Sequence, residues 1–330
     1  MKITYGKRTA RATATLAVAL PVAWWLRHIL ARAVRVWRPG RGRFVRAGKL
    51  SVRVAGAGER VFLFLHGLVS SGDTFGSDYD RLTEHGRLVV PDLLGLSRSM
   101  SNAEGGFSLE DHLDSLDEMV LALDLANAKF VVAGHSLGAL IALHWTARRA
   151  GQVDAVVTFG APFFRNETEA RRQLKAMGPI ESLFAQDSPL AEKSCALMCA
   201  HRDLAQFLAV ALSPDLPVPV SSKAVSHTWP AYRGALGVFF ADWKTAIDQL
   251  EQRGVRMTLI SGDKDRSQVK GLAAQLAATF SCVSEIRVKD AGHILPITHG
   301  KFCAEELLRS AGKIPAAAHR IPSREVKFEQ

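Results

Sequence analysis

At 330 residues and 48% hydrophobic composition, the chain is long enough for one sizeable core, or for a core with an inserted subdomain. Its net charge of +10, from 42 Lys and Arg against 32 Asp and Glu, is unevenly spread. Residues 1–49 hold twelve Lys and Arg and no acid, so the rest of the chain stands at −2 and implies no basic face for nucleic acid. Four cysteines (Cys195, Cys199, Cys282, Cys303) form no C-x-x-C pair and read as free thiols rather than a metal site.

The chain opens on a leader, residues 1–41. Ala12 to Leu26 is a run of 15 uncharged residues behind a basic start, which is the grammar of an export signal or a membrane anchor. Arg27, Arg32 and Arg35 crowd the small-residue cleavage motif at Ala31–Ala33, and Pro21 interrupts the run. A bilayer-spanning helix needs roughly 20 apolar residues, so the run is short for one. Trp24, Trp25 and Trp37 suit an interface. The favoured expectation is a membrane-attached helix within residues 1–38, with the rest of the protein cytoplasmic. A cleaved signal, or a helix docked on the protein's own lid or on a partner, are the alternatives.

Pro39 to Gly42 marks the start of the folded body. Phe44–Val45 and Leu50 to Val54 read as a hairpin around Gly48. Val61 to Leu65 is the next buried strand, running into His66-Gly67-Leu68, and Leu88 to Val90 is another, running into Pro91-Asp92 and on to Ser99. Ser108 with Asp111 predicts a capped helix from about Leu109 to Leu123.

Phe130 to Ala133 is an all-apolar run suited to a strand buried on both faces. It leads into Gly134-His135-Ser136-Leu137-Gly138, followed by Leu140, Ile141 and His144 at helical spacing. Strand, G-x-S-x-G turn and helix make Ser136 a candidate nucleophile. The helix start aims the Leu137 N–H at an oxygen that becomes negative during acyl transfer.

Val153 to Phe159 is a sixth strand, and the next begins at Val255. The gap exceeds ninety residues, far beyond an ordinary crossover. It contains helical runs at Glu167–Met177, Pro189–Leu212 and Ala235–Gln252, with a Pro-rich link from Pro214 to Pro219. Apolar positions in it (Leu183, Phe184, Leu197, Met198, Phe207, Leu208, Trp229, Phe239, Phe240) are core between cap and sheet or line a pocket. Two acids, Asp263 and Asp265, follow the strand Val255 to Ile260. Gly292-His293 follows the last expected strand, Glu285 to Val288, and His299 lies beyond it, near the start of the final helix.

These motifs resemble the α/β-hydrolase superfamily, from about Arg43 to Ala311. The resemblance implies an α/β fold with a mostly parallel central sheet flanked by helices, residues 42–161 and 243–315. It also implies an inserted helical cap, 162–242, and leaves 316–330 as a C-terminal tail. By the same resemblance the His66-Gly67 turn supplies the Leu68 N–H as a second oxyanion donor, with His66 fixing the loop. Asp92 is architectural, Asp265 is the triad acid with Asp263 as runner-up, and His293 is the base. The chain departs from the family pattern at Arg98, where a small residue is common, and at Arg266 to Val269, which lacks the frequent proline.

The order Ser136, Asp265, His293 is the one this fold uses. No cofactor or metal is implied. The expected activity is that of a carboxylesterase- or lipase-like serine hydrolase, cleaving an apolar ester, thioester or lipid through an acyl-enzyme. Acyltransferase and C–C bond hydrolase chemistry use the same triad. A catalytically silent binding module is the reading from outside enzymology.

Overall fold

A computed structural model describes residues 21–101, 106–177, 188–313 and 323–327. The basic start of the leader, Ala12 to Leu20 of its apolar run, the cap positions Leu183 and Phe184, and residues 316–322 and 328–330 of the tail lie outside the described residues.

The strands are β1 (Arg43–Ala47), β2 (Leu50–Ala55), β3 (Arg60–Leu65), β4 (Arg87–Pro91), β5 (Lys129–His135), β6 (Val153–Phe159), β7 (Arg256–Gly262), β8 (Val283–Val288) and β9 (Ser323–Val326). They form one sheet in the order β1-β2-β4-β3-β5-β6-β7-β8-β9. β2 runs antiparallel to β1 and β4, and every other pairing is parallel. The hairpin around Gly48 and the parallel centre fall where the sequence puts them. The strand expected to be last is not: β9, from the tail, adds a parallel edge to β8.

The central strands bury both faces, and alternation divides their side chains between two layers. Val61, Leu63, Leu65, Phe130 and Val132 face one side. Helices Leu109–Ala122, Leu137–Arg148 and Trp243–Gln252 contribute to that same layer. Phe62, Phe64, Val131, Ala133 and Val157 face the other side, with Tyr79, Leu82 and helix Gly300–Ser310. A core on both faces fixes the register of the central strands, because a one-residue slip would exchange the two sets.

Two helical expectations change. Pro189–Leu212 is two helices, Pro189–Ala200 and Arg202–Leu212, bent by 109° at His201. There the backbone leaves the helical region at φ −120°, ψ 53°. The run from Ala235 starts earlier, at Trp229, behind an N-cap in which the Thr228 hydroxyl accepts from the Ala231 N–H. It breaks at the extended Ala241 and restarts behind the Asp242 cap. Propensity reads a continuous run, but caps and backbone breaks decide where it divides.

The fold also begins before Arg43. Residues 21–30 and Arg32–Val36 are helical. Trp24 donates from Nε1 to the Ala211 carbonyl at 2.8 Å, and Trp37 to the Asp73 carbonyl at 2.9 Å. Ala33 is buried against Val220 and Ile297. This stretch of the leader therefore packs on the cap and on the segment just after His293, which matches the docked-helix alternative for these residues.

Candidate active site

Ser136 lies between β5 and helix Leu137–Arg148 at φ 52°, ψ −120°, a left-handed conformation that non-glycine residues rarely adopt. Its N–H is held by the Phe159 carbonyl at 3.0 Å. The flanking glycines are required by crowding. A Cβ on Gly134 would lie 2.3 Å from the Gly138 carbonyl oxygen, and one on Gly138 would lie 2.2 Å from that of Leu65. The turn thus presents Ser136 at the carboxyl end of β5, and Leu137 heads a helix whose first N–H groups have no partner within it.

The loop after β3 closes against this turn. A Cβ on Gly67 would lie 3.2 Å from both the Ser136 Cβ and the His135 Nδ1. His66 is fully buried; its Nε2 accepts from the Leu93 N–H at 2.9 Å, so Nδ1 carries the proton and donates to the Gly67 carbonyl at 2.8 Å. Burial lowers the His66 pKa. Its position is that of a brace for the loop carrying Leu68. The neighbouring Val69, a β-branched residue, sits at φ 48°, a further strained position beside the elbow.

The second half of the site comes from β7 and β8. The Asp265 side chain is 1% exposed, and its Oδ2 lies 2.9 Å from His293 Nδ1. A carboxylate can only accept, so Nδ1 carries the proton and Nε2 is left as the basic nitrogen. Burial alone would raise the Asp265 pKa, but the hydrogen bonds from His293 and Ser267 outweigh it and hold the carboxyl below its ordinary value. Asp263 is exposed, and its neighbour Lys264 pairs with Asp290 at 2.7 Å. Of the two acids, the structure brings only Asp265 to His293. His299 stands just before helix Gly300–Ser310, without a side-chain capping bond, and its Nδ1 lies 2.9 Å from the Thr298 hydroxyl.

Two contacts tie the halves together. A Cβ on Gly160, the residue after β6, would lie 3.0 Å from Asp265 Oδ2 and 3.1 Å from His293 Nδ1. His135, next to Ser136, donates from Nε2 to the His293 carbonyl at 2.9 Å, and the two rings lie 4.8 Å apart. Its burial, and then the nearby His293, push the His135 pKa down to about 3. His135 is therefore a neutral strut rather than a second base.

A family model described as the alpha/beta hydrolase family matches residues 62–306, most of the chain. The chain belongs to that family. The probable lysophospholipase BODYGUARD 4 of Arabidopsis thaliana is 25% identical over 74% of this chain and 62% of its own length. BODYGUARD 3 of the same plant is 27% identical, with 34% of its length covered, so the chain spans only part of these plant relatives. The magnesium-chelatase 30 kDa subunit of Rhodobacter capsulatus is 28% identical over 84% of this chain and 92% of its own length. Among solved structures, an esterase from Thermogutta terrifontis superposes with a TM-score of 0.58 at 17% identity, over 82% of this chain and 99% of that one. An evolved variant of potato epoxide hydrolase superposes with a TM-score of 0.60 at 21% identity, over 83% and 99%. At such identities the superpositions speak to the fold.

Within this α/β-hydrolase the Asp92 loop is architectural. Asp92 is buried and accepts from the Gly72 N–H at 2.7 Å and the Arg98 N–H at 3.0 Å. Arg98, the departure from the family pattern, bridges Asp92 at 3.2 Å to Asp73 at 2.7 Å. Sequence reading passed over Ser267. Its hydroxyl donates to Asp265 Oδ1 at 2.7 Å and lies 2.8 Å from His293 Nδ1, while its N–H donates to the same Oδ1 at 2.9 Å. The available signal was Asp-x-Ser after a strand, the spacing at which an Asp side chain caps the N–H two residues on.

Proposed function

We propose that this α/β-hydrolase is a serine carboxylester hydrolase, acting on an apolar ester or thioester through a Ser136 acyl-enzyme. The observation that carries the reading is the strained Ser136 turn, tied through His135 to the Asp265–His293 pair, all beyond the carboxyl ends of the parallel strands β5, β7 and β8. The probable lysophospholipase description of its plant relatives is in line with it.

In the proposed reaction His293 Nε2 takes the Ser136 proton as Oγ attacks the carbonyl carbon. The developing oxyanion is received by the Leu68 and Leu137 N–H groups, single donors of this kind being worth about 3 kcal/mol. His293 returns the proton to the leaving alkoxide or thiolate. Water, deprotonated by the same nitrogen, then releases the acid and regenerates Ser136. Asp265 orients the imidazole and stabilises its cation. An apolar substrate is favoured by the chain leaving Gly160, where buried Phe163 and Phe164 pack against half-buried Trp243 and buried Phe239.

The test is a fluorophosphonate probe followed by peptide mapping, with a panel of p-nitrophenyl esters of increasing acyl length. Labelling at Ser136 that is lost in Ser136→Ala supports the reading. An unlabelled, folded protein without esterase activity would favour the silent binding module.

A further inference from the structure

Most of the strongly exposed large apolar side chains among the described residues gather on two neighbouring segments rather than scattering. The first is the helical stretch 21–30. Val22, Trp25, Leu26, Ile29 and Leu30 are 38–65% exposed. Their spacing of i, i+3, i+4, i+7 and i+8 makes one stripe of the kind an amphipathic helix normally buries.

Here the other flank is the one tethered to the protein. Trp24 Nε1 donates to the Ala211 carbonyl, His28 Nδ1 to the Pro214 carbonyl at 2.8 Å, and Arg27 pairs with Asp215. Those partners stand at and just past the end of cap helix Arg202–Leu212, which carries a stripe of its own. Leu204, Phe207, Leu208 and Leu212 are 47–67% exposed, again at helical spacing. Leu190 and Leu197 add to it from the preceding helix.

We infer that the stretch 21–30 and cap helix Arg202–Leu212 together form a docking surface for an anionic lipid bilayer. Charge selects this occupant. The leader, residues 1–41, holds nine cations and no acid, and Arg32, Arg35 and Arg38 continue the stretch as exposed side chains. A basic amphipathic segment with an exposed tryptophan is suited to the headgroup boundary of negatively charged lipid. A second copy would bring the same cationic segment against this one, which opposes a symmetric pairing. No single described helix is long and apolar enough to cross a membrane, and helices Pro189–Ala200 and Arg202–Leu212 reach that length and composition only as a pair bent by 109°; one-sided apolar stripes suit helices lying in the interface plane. The inference is independent of the proposed chemistry.

The test is a lipid titration by flotation of the full chain, using vesicles of phosphatidylcholine alone and of phosphatidylcholine mixed with phosphatidylglycerol in equal parts. Two double variants are compared, Trp25→Ser with Leu26→Ser and Leu204→Ser with Phe207→Ser. Circular dichroism and thermal melting check that each folds. The unaltered chain is expected to bind the mixed vesicles, more weakly at high salt. Each variant should lower the partition coefficient about tenfold or more, the scale of two large side chains partly withdrawn from lipid. Absence of flotation, or a cap variant that binds like the parent, would overturn the joint surface. A dimer in sedimentation velocity that the same variants dissociate would assign it to a second copy instead.

Discussion

Replacing Asp265 by Asn tests the site more sharply than removing the nucleophile, because the contacts around Oδ1 dictate how the amide must sit. The Ser267 N–H and hydroxyl both donate to Oδ1, at 2.9 and 2.7 Å. In the variant that position keeps the amide oxygen, and the NH2 group takes the place of Oδ2, 2.9 Å from His293 Nδ1. A donor there makes Nδ1 the acceptor and moves the ring proton to Nε2, where it blocks transfer from Ser136. The cost of a wrong tautomer in a triad is about 10⁴ in kcat, or roughly 5 kcal/mol of transition-state stabilisation. Asp265→Ala should do less harm, because Ser267 Oγ, 2.8 Å from Nδ1, then accepts the Nδ1 proton and preserves the tautomer. Adding Ser267→Ala to Asp265→Ala should remove that residual activity, about another tenfold. Asp263→Asn, altering an exposed side chain, should stay within about threefold of the parent, the scale of a surface substitution. The assay is steady-state hydrolysis of a short p-nitrophenyl ester by purified variants with matched melting curves. Asp265→Ala falling below Asp265→Asn would refute the tautomer reasoning, and loss of activity in Asp263→Asn would move the acid.

Ser136→Ala and His293→Ala are each expected to lower kcat by on the order of 10⁴ to 10⁶ without lowering Tm; ester turnover within tenfold of the parent in either would remove that residue from the mechanism. Stability should fall in mild acid, because burial holds His112 and His227 down to about 4 and His135 down to about 3. Their folded values are depressed, so the unfolded chain takes up protons first; the contribution is whole above the ordinary value near 6.5 and is lost as pH falls toward the folded values. At about pH 5 each group removes at most roughly 2 kcal/mol, and melting followed from pH 7.5 to 5 should drop by on the order of ten degrees, a flat profile being the contrary result. Deleting residues 1–38 should lower both Tm and ester turnover, because it removes the Trp37–Asp73 hydrogen bond and the Ala33 packing on Ile297. A truncated enzyme with the parent's Tm and kcat would show that this packing is dispensable.

The parts of the fold legible in the sequence are those where local pattern and tertiary environment agree. Val61 to Leu65 and Phe130 to Ala133 are apolar throughout because both faces of their strands are covered, so a short apolar run between turns has only one comfortable place. The Ser136 turn was legible for a stronger reason. At its glycines an added Cβ would lie 2.3 and 2.2 Å from carbonyl oxygens, so no other residue fits, and such a constraint writes itself into one dimension. Ser267 and His135 left weaker traces, since their roles depend on where β7 and β8 bring a loop, and nothing within a few residues of either encodes that distance.

The leader was ambiguous for a different physical reason. An uncharged run flanked by arginines and tryptophans satisfies a bilayer, a translocation signal and a hydrophobic cap equally well, because all three offer an apolar surface beside polar acceptors. What separates them is the partner of each polar atom. Trp24 gives its N–H to a cap carbonyl and Trp37 to the loop after β3, so two of the tryptophans are half-buried and bonded to the protein. Trp25, 55% exposed, faces away from those contacts. One helix thus serves two surfaces: its polar-tipped flank fastens it to the cap, and its purely apolar flank faces outward. Past the break at Ala31, Ala33 packs on Ile297, four residues after the proposed base, so the leader is fastened at both ends of the apolar flank.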